Sequence, residues 1–226
     1  MRIFIGIPSI RHYEPFWKSL DEFIPILKRM CDVHIEIVKN KGVAEARNEI
    51  VDKFLESEYD YLLFLDDDHV GHTLQMFNSI LDPILNNGAM MCGIKCYTKL
   101  FPYFSNISVY SNVNEKELGI KEGSGKYIPV DLDKGYGYVD LVGFGMTIVS
   151  RETFKLMNKP YFICEYNKGE DNYFCDNLIK AGIRPVGCFE HVLTHEHIGR
   201  HNARILRERG MAEIKEKYPD MKVMVA

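Results

Sequence analysis

Three consecutive aspartates, Asp66-Asp67-Asp68, follow the apolar run Leu62-Leu63-Phe64-Leu65 without a break, and His69 comes next. Adjacent carboxylates repel one another, so such a cluster calls for positive charge. Oxygen donors suit Mg2+ or Mn2+, ions that take one or two carboxylates and complete their shell with phosphate and water. The competing reading is an acidic first turn for a helix beginning near Thr73, where the helix dipole favours negative charge. A second acidic pair, Glu170-Asp171, opens another helical stretch, and its plain structural reading is a cap in a favourable dipole. Cys188, His191, His195, His197 and His201 are crowded into one short segment. They could bind zinc, although their spacings match no zinc-finger pattern, or one histidine could complete the shell of a cation held by the aspartates. Arg200, Arg204, Arg207 and Arg209 follow. They suit neutralisation of a diphosphate, or form a solvated helix face with Glu208 and Glu213 as partners.

The elements that must position these residues follow from the periodicity of the chain. Arg2 to Ile7 is a short apolar strand closed by Pro8-Ser9. Phe16, Leu20, Phe23, Ile24 and Leu27 carry helical spacing through Glu14 to Met30. Val33 to Val38 is a second strand, and Gly42 opens a helix through Ala46, Ile50 and Leu55. Tyr61 to Leu65 is a buried strand, Thr73 to Leu85 a helix and Ala89 to Ile94 a strand. This alternation over the first ~95 residues predicts a mostly parallel sheet with helices on both faces. The aspartates then stand at the carboxyl edge of the sheet, where open α/β folds bind ligands. Lys99 to Lys134 is polar and rich in turn residues and reads as irregular structure or a hairpin. Tyr138 to Val149 reads as a strand interrupted by Gly143-Phe144-Gly145, followed by a short helix from Arg151 to Met157. Asp171 to Ala181 is a helix stopped by Gly182, Arg184 to Val192 a strand, and Asn202 to Tyr218 a charged helix.

A strand ending LFLDDDH, preceded by a helix opening GVAEARN, resembles the donor half of the GT-A glycosyltransferases, in particular their family 2-like members. The resemblance implies one GT-A domain over residues 1–226, with a nucleotide-sugar donor half in 1–95 and an acceptor and catalytic half in 96–226. It implies that Asp66 faces the nucleotide or shares the metal, that Asp68 binds the cation, and that Asp67 lies just behind them. The downstream histidine followed by Ile-Gly, His197, becomes the distant metal ligand, with His195 as the second choice. Pro8 and Ser9 would line the nucleoside and Arg47 would lie near the nucleotide, where its fork suits a phosphate or a base edge. If not, Arg47 is a surface arginine paired with Glu45 or Glu49. Gly143 and Gly145 would let the backbone approach the sugar, since paired glycines in a strand mark close approach. As a dinucleotide fingerprint they fail, because the GxGxxG spacing is absent. Glu170-Asp171 resembles the dipeptide of inverting members, in which the aspartate is the general base for the acceptor hydroxyl.

The expected activity is therefore transfer of a sugar from a nucleotide-diphosphate sugar to a glycan, lipid-linked or small-molecule acceptor, dependent on Mn2+ or Mg2+. The formal net charge of −4 offers no general attraction to nucleic acid or anionic lipid, so no nucleic-acid partner is expected. No stretch approaches ~18 uninterrupted apolar residues, so no transmembrane segment is expected either. Six scattered cysteines without a close pair read as reduced thiols in a cytoplasmic protein. Two other functions compete. A nucleotidyltransferase would also use carboxylate-held Mg2+, but its glycine-rich basic loop is not the IGIPSIRHYEP found here. A non-catalytic zinc or nucleotide-binding module would hold zinc tightly on the histidine cluster and turn over no donor.

Overall fold

The computed structural model describes residues 1–10, 12–97, 105–110, 127–130, 132–165 and 169–195. Five strands of one sheet run in the same direction: β1 (Arg2–Ser9), β2 (Asp32–Lys39), β3 (Tyr61–Leu65), β5 (Met91–Cys96) and β10 (Val186–His195). A short β4 (His69–Val70) and two strands of the second half, β8 (Tyr136–Tyr138) and β9 (Met146–Ser150), run the other way. The strand order is β2-β1-β3-β9-β5-β10-β4, with β8 also pairing with β10. Separately, β6 (Ser108–Tyr110) pairs antiparallel with β7 (Tyr127–Pro129), within the stretch read as irregular or hairpin.

Burial explains this order. From Ile3 onward β1 is buried on both faces, as a near-continuous apolar run requires at the centre of a sheet. β2 sits at the edge, and its DVHIEIVK sequence leaves charged side chains in solvent, which blunts pairing with other chains. Helices α1 (Glu14–Leu27) and α3 (Leu74–Asn87) cover one face, burying Phe16, Phe23, Phe77 and Ile80 against Ile5, Leu63 and Ile148. Helices α2 (Val43–Glu56), α4 (Arg151–Lys155) and α5 (Glu170–Lys180) cover the other, burying Ile50, Phe54, Phe154 and Phe174 against Phe4, Leu62 and Phe64. Thr73 caps α3, its hydroxyl accepting from the Met76 amide at 3.2 Å. Gly88 ends α3 in the left-handed region at φ 68.

The short β4 was not expected, β10 runs on to His195 instead of ending at Val192, and the largest difference lies between them in sequence. The strand read from Tyr138 to Val149 is two strands in different places. β8 pairs with β10 near the far side of the sheet, whereas β9 is inserted antiparallel between β3 and β5. A short apolar run buried on both faces carries no period that reveals its neighbours. Residues 98–104 and 111–126, the whole of Asn202 to Tyr218 and the Arg200 to Arg209 segment lie outside the described residues.

β10 carries a local irregularity. Cys188 pairs with Ile94, but the next partner of Lys95 is Val192, so Phe189, Glu190 and His191 are extra in β10. Beyond this bulge β10 turns to β4, pairing Thr194 with Val70 and His195 with His69. Among the described residues no helix is long and apolar enough to cross a membrane, and all six cysteines are unbridged.

Candidate active site

The end of β3 delivers Asp66, Asp67 and Asp68 to the carboxyl edge of the sheet, and the three diverge there. Asp67 turns inward and is buried, its Oδ2 accepting from the Ile10 amide at 3.1 Å. It thereby ties down the exit of β1, where Pro8 and Ser9 pair with Val38 and Lys39. Asp66 accepts from Arg47 with both oxygens, at 2.9 and 3.0 Å. The Asp66 amide donates to the Gly145 carbonyl at 3.2 Å, which anchors the turn to the start of β9. Asp68 points to two histidines.

Asp68, His69 and His195 place one ligand atom each within 4.8 Å of one another. His69 Nδ1 lies 2.7 Å and His195 Nε2 3.5 Å from the Asp68 carboxylate. The register creates this group, because β4 follows the aspartates at once and sets His69 directly across from His195. Their rings meet edge to face at 4.6 Å between centroids. Gly145 makes room for the His69 ring: a Cβ there would stand 2.7 Å from Nε2 and 2.9 Å from Cε1. The loop behind is fixed by Ser19, whose hydroxyl accepts from the Gly71 and His72 amides at 3.0 and 3.1 Å and meets His72 Nδ1 at 3.1 Å. Burial, and then the neighbouring His69, push the His72 pKa down to about 3, so that ring is neutral and serves the loop.

Buried His69 holds Nδ1 against the Asp68 carboxylate, so a divalent cation taking both as ligands would stand in place of the proton between them. One carboxylate with two imidazoles suits Mn2+, Zn2+ and similar ions better than Mg2+, which prefers oxygen. The residues therefore fit a metal. His195, the second choice in the sequence, is in this group, while His197 and His201 lie outside the described residues. Cys188 is buried in β10 and His191 sits in the bulge, and neither belongs to the group.

Gly145→Ala is expected to displace the His69 ring, costing ~1–3 kcal/mol of stability as overpacking does and weakening Mn2+ binding. Thermal denaturation with and without Mn2+ checks both. An unchanged Mn2+ affinity would remove His69 from the ligand set.

The second part of the site is built around Arg47, in the second turn of α2. Its side chain is only 2% exposed. Besides Asp66, its Nη1 donates to Glu170 Oε1 at 2.6 Å and to Asp171 Oδ1. The guanidinium carbon lies 4.8 Å from the Phe144 ring centre and 5.6 Å from that of Phe162. Burial opposes the charge, but Asp66, Asp171 and Glu170 overcome it and raise the Arg47 pKa above its ordinary value. Pairing with Glu45 or Glu49 does not occur here; Lys41 holds both of those carboxylates. The neighbouring Asn48 completes the arrangement. Its amide donates to the Phe162 carbonyl at 2.7 Å and accepts from the Tyr161 and Phe162 amides at 2.9 and 3.1 Å.

Asp171, in the first turn of α5, keeps 28% of its side chain exposed. Loss of water from its other faces pushes its carboxyl up to about 7. Glu170 and Asp66 push the same way, and Arg47 opposes them. It is thus a partly exposed carboxyl that holds its proton more tightly than an ordinary aspartate. No side-chain cap hydrogen bond is formed at this helix start; the carboxylates go to Arg47 instead. Gly143 packs against Asn106, 2.7 Å separating a would-be Cβ from Nδ2, and Phe144 between the two glycines is buried beneath Arg47.

His69, Asn48, Phe144 and Phe162 belong to this constellation, and the sequence reading assigned none of them a role. Adjacency was the available signal for the first three, since they flank Asp68, Arg47 and Gly145. Phe162 is reached only through the fold.

No protein-family model and no curated protein matches the sequence. Solved structures do. A197 from STIV superposes with a TM-score of 0.55 at 24% identity, covering 86% of this chain and 85% of that one. Glucosyl-3-phosphoglycerate synthase from Mycobacterium tuberculosis, in complex with Mn2+, UDP and phosphoglyceric acid, gives 0.51 at 13% identity, covering 96% and 78%. TarS 1–349 from S. aureus gives 0.50 at 14% identity, covering 85% of this chain and 59% of that one. These likenesses show the fold, which is the GT-A type with its mixed, mostly parallel sheet and helices on both faces.

Proposed function

We propose that the chain is a metal-dependent glycosyltransferase that moves a sugar from a nucleotide-diphosphate sugar to an acceptor hydroxyl with inversion. The observation that carries this reading is that one end of the fold gathers a group that could hold a metal ion, Asp68 with His69 and His195, and a partly exposed carboxylate, Asp171, joined through Arg47 to Asp66. The fold agrees, because a solved structure of this fold holds Mn2+ and UDP together.

In this reading Asp68, His69 and His195 hold the cation, with His197 as a further candidate. Mn2+ is favoured over Mg2+ by the two imidazoles. The cation would supply positive charge to a departing nucleoside diphosphate. Asp66 faces the nucleotide, Pro8 and Ser9 line the nucleoside at the exit of β1, and Asp67 keeps that exit in place. Gly143 and Gly145 bring the backbone close to the sugar. Asp171, with Glu170 beside it, takes the proton of the acceptor hydroxyl as its oxygen forms a bond to the anomeric carbon. The bond from that carbon to the diphosphate breaks, and its electron pair leaves with the nucleotide. The acceptor is a glycan, a lipid-linked molecule or a small molecule.

A panel of nucleotide sugars, UDP-glucose first, assayed for hydrolysis with Mn2+ or Mg2+ tests this reading. At least one donor is expected to turn over, faster with Mn2+. The histidine-rich ligand set favours one rival, a zinc-binding module without turnover. Tightly held zinc with no hydrolysis of any donor would establish that rival.

A further inference from the structure

We infer that Arg47 is a positioning residue that fixes the base Asp171 relative to the donor-side Asp66, and is not the nucleotide contact its motif suggests; this rests on the glycosyltransferase reading above.

Geometry carries the inference. A nucleotide contact needs donors open to the ligand, yet the Arg47 side chain is 2% exposed and both terminal nitrogens are engaged by carboxylates. Nη2 grips both oxygens of Asp66, and Nη1 reaches Glu170 and Asp171. Two segments remote in sequence, at Asp66 and at Glu170-Asp171, thus meet on one planar cation. The guanidinium is held flat between these carboxylates and the Phe144 and Phe162 rings, so its fork has little freedom to turn away.

The neighbouring residue does the same for the backbone. Asn48 uses its carbonyl and amide to hold Tyr161 and Phe162 against α2, so the chain is anchored there eight residues ahead of Glu170. Arg47 and Asn48, adjacent on α2, therefore clamp the acceptor side of the site to the donor side. A base must be held within a few tenths of an ångström of its productive place to keep its rate advantage. One guanidinium shared by donor-side and acceptor-side carboxylates meets that demand.

The experiment compares wild type, Arg47→Met, Arg47→Lys, Asp171→Asn and the double variant Arg47→Lys/Asp171→Asn. Each is assayed for hydrolysis of the nucleotide sugar turned over fastest with Mn2+, and melting is followed in parallel. Methionine keeps the packing under the two phenylalanines without the fork, and lysine keeps the charge. Arg47→Met is expected to lower kcat by ~100-fold, the lower range for a displaced base, with donor KM changed by less than about threefold. Arg47→Lys should recover part of that loss. In the double variant the lysine should cost nothing beyond Asp171→Asn, because a residue acting through Asp171 has nothing left to position. A donor KM raised more than about tenfold with kcat retained would make Arg47 a nucleotide contact after all. Multiplying losses in the double variant, or failure of both single Arg47 variants to fold, would make its role structural, and either result overturns the inference. Wild-type protein that turns over no donor refutes the glycosyltransferase reading itself, and the inference with it, before any variant is compared.

Discussion

Asp68→Ala protein is expected to lose Mn2+-dependent binding of a nucleotide sugar while remaining folded. Asp68 is the acidic member of the proposed ligand group, and both histidines are gathered around its two oxygens. Without it, two imidazoles remain, a weak site for a hard divalent ion. Losing even an outer partner of a ligand costs ~10–100-fold in metal affinity, and losing the carboxylate itself should cost more. Calorimetric titration of Mn2+, followed by the nucleotide sugar, reads the loss directly. The fold should survive, because the Asp68 side chain is partly exposed at 19% and the turn it belongs to is held by Asp66 and Asp67. Retained Mn2+-dependent donor binding would mean that the cation sits elsewhere.

Asp171→Asn should abolish transfer and leave donor binding intact. Asparagine preserves shape and one acceptor for Arg47 but cannot take a proton at this pH. The expected fall in kcat is ~10²–10⁴-fold, the span attributed to a positioned base. The same residue sets a pH dependence. Its carboxyl is raised to about 7, and a base acts only when deprotonated, so wild-type kcat/KM should climb with pH through that region and level off above it. Bound cation adds positive charge nearby and can only move the midpoint down. The acidic limb should vanish from the residual activity of Asp171→Asn. A wild-type profile flat from pH 5 to 9, or a variant with undiminished kcat, would assign proton removal to another group.

Much of this architecture was legible in the chain because it depends on local signals. The strand from Tyr61 to Leu65 and the helix ended by Gly182 lie where the apolar pattern and the turn residue put them. The aspartates could be placed at a sheet edge because an apolar strand runs straight into them. What the sequence did not disclose is pairing. Nothing in the apolar run from Val142 to Val149 says that its second part slots between β3 and β5. Nothing about His69 or His195 alone says that they face one another, since their meeting depends on the register of β4 with β10. Arg47 is the sharpest case. Its type and motif suggested a contact with phosphate, yet its partners come from Asp66, nineteen positions away, and from Glu170 and Asp171 far along the chain. Only a fold can show that both terminal nitrogens of a guanidinium are already taken by carboxylates.

The bulge in β10 has a consequence for how such a site can vary. Side chains alternate across a strand, so removing one residue anywhere in a continuous strand turns every later side chain to the opposite face. Phe189, Glu190 and His191 interrupt the ladder between two paired stretches, one against the middle of β5 and one running on to β4. The first stretch is thereby insulated from changes in the second. The core under Val186, Cys188 and the buried Phe189 can stay as it is while the exposed Glu190 and half-buried His191 change and re-aim the arm that carries His195. The sheet and the arm that carries His195 are separate parts joined by an adjustable coupling, and a lineage or an engineer could re-aim that histidine without disturbing the scaffold.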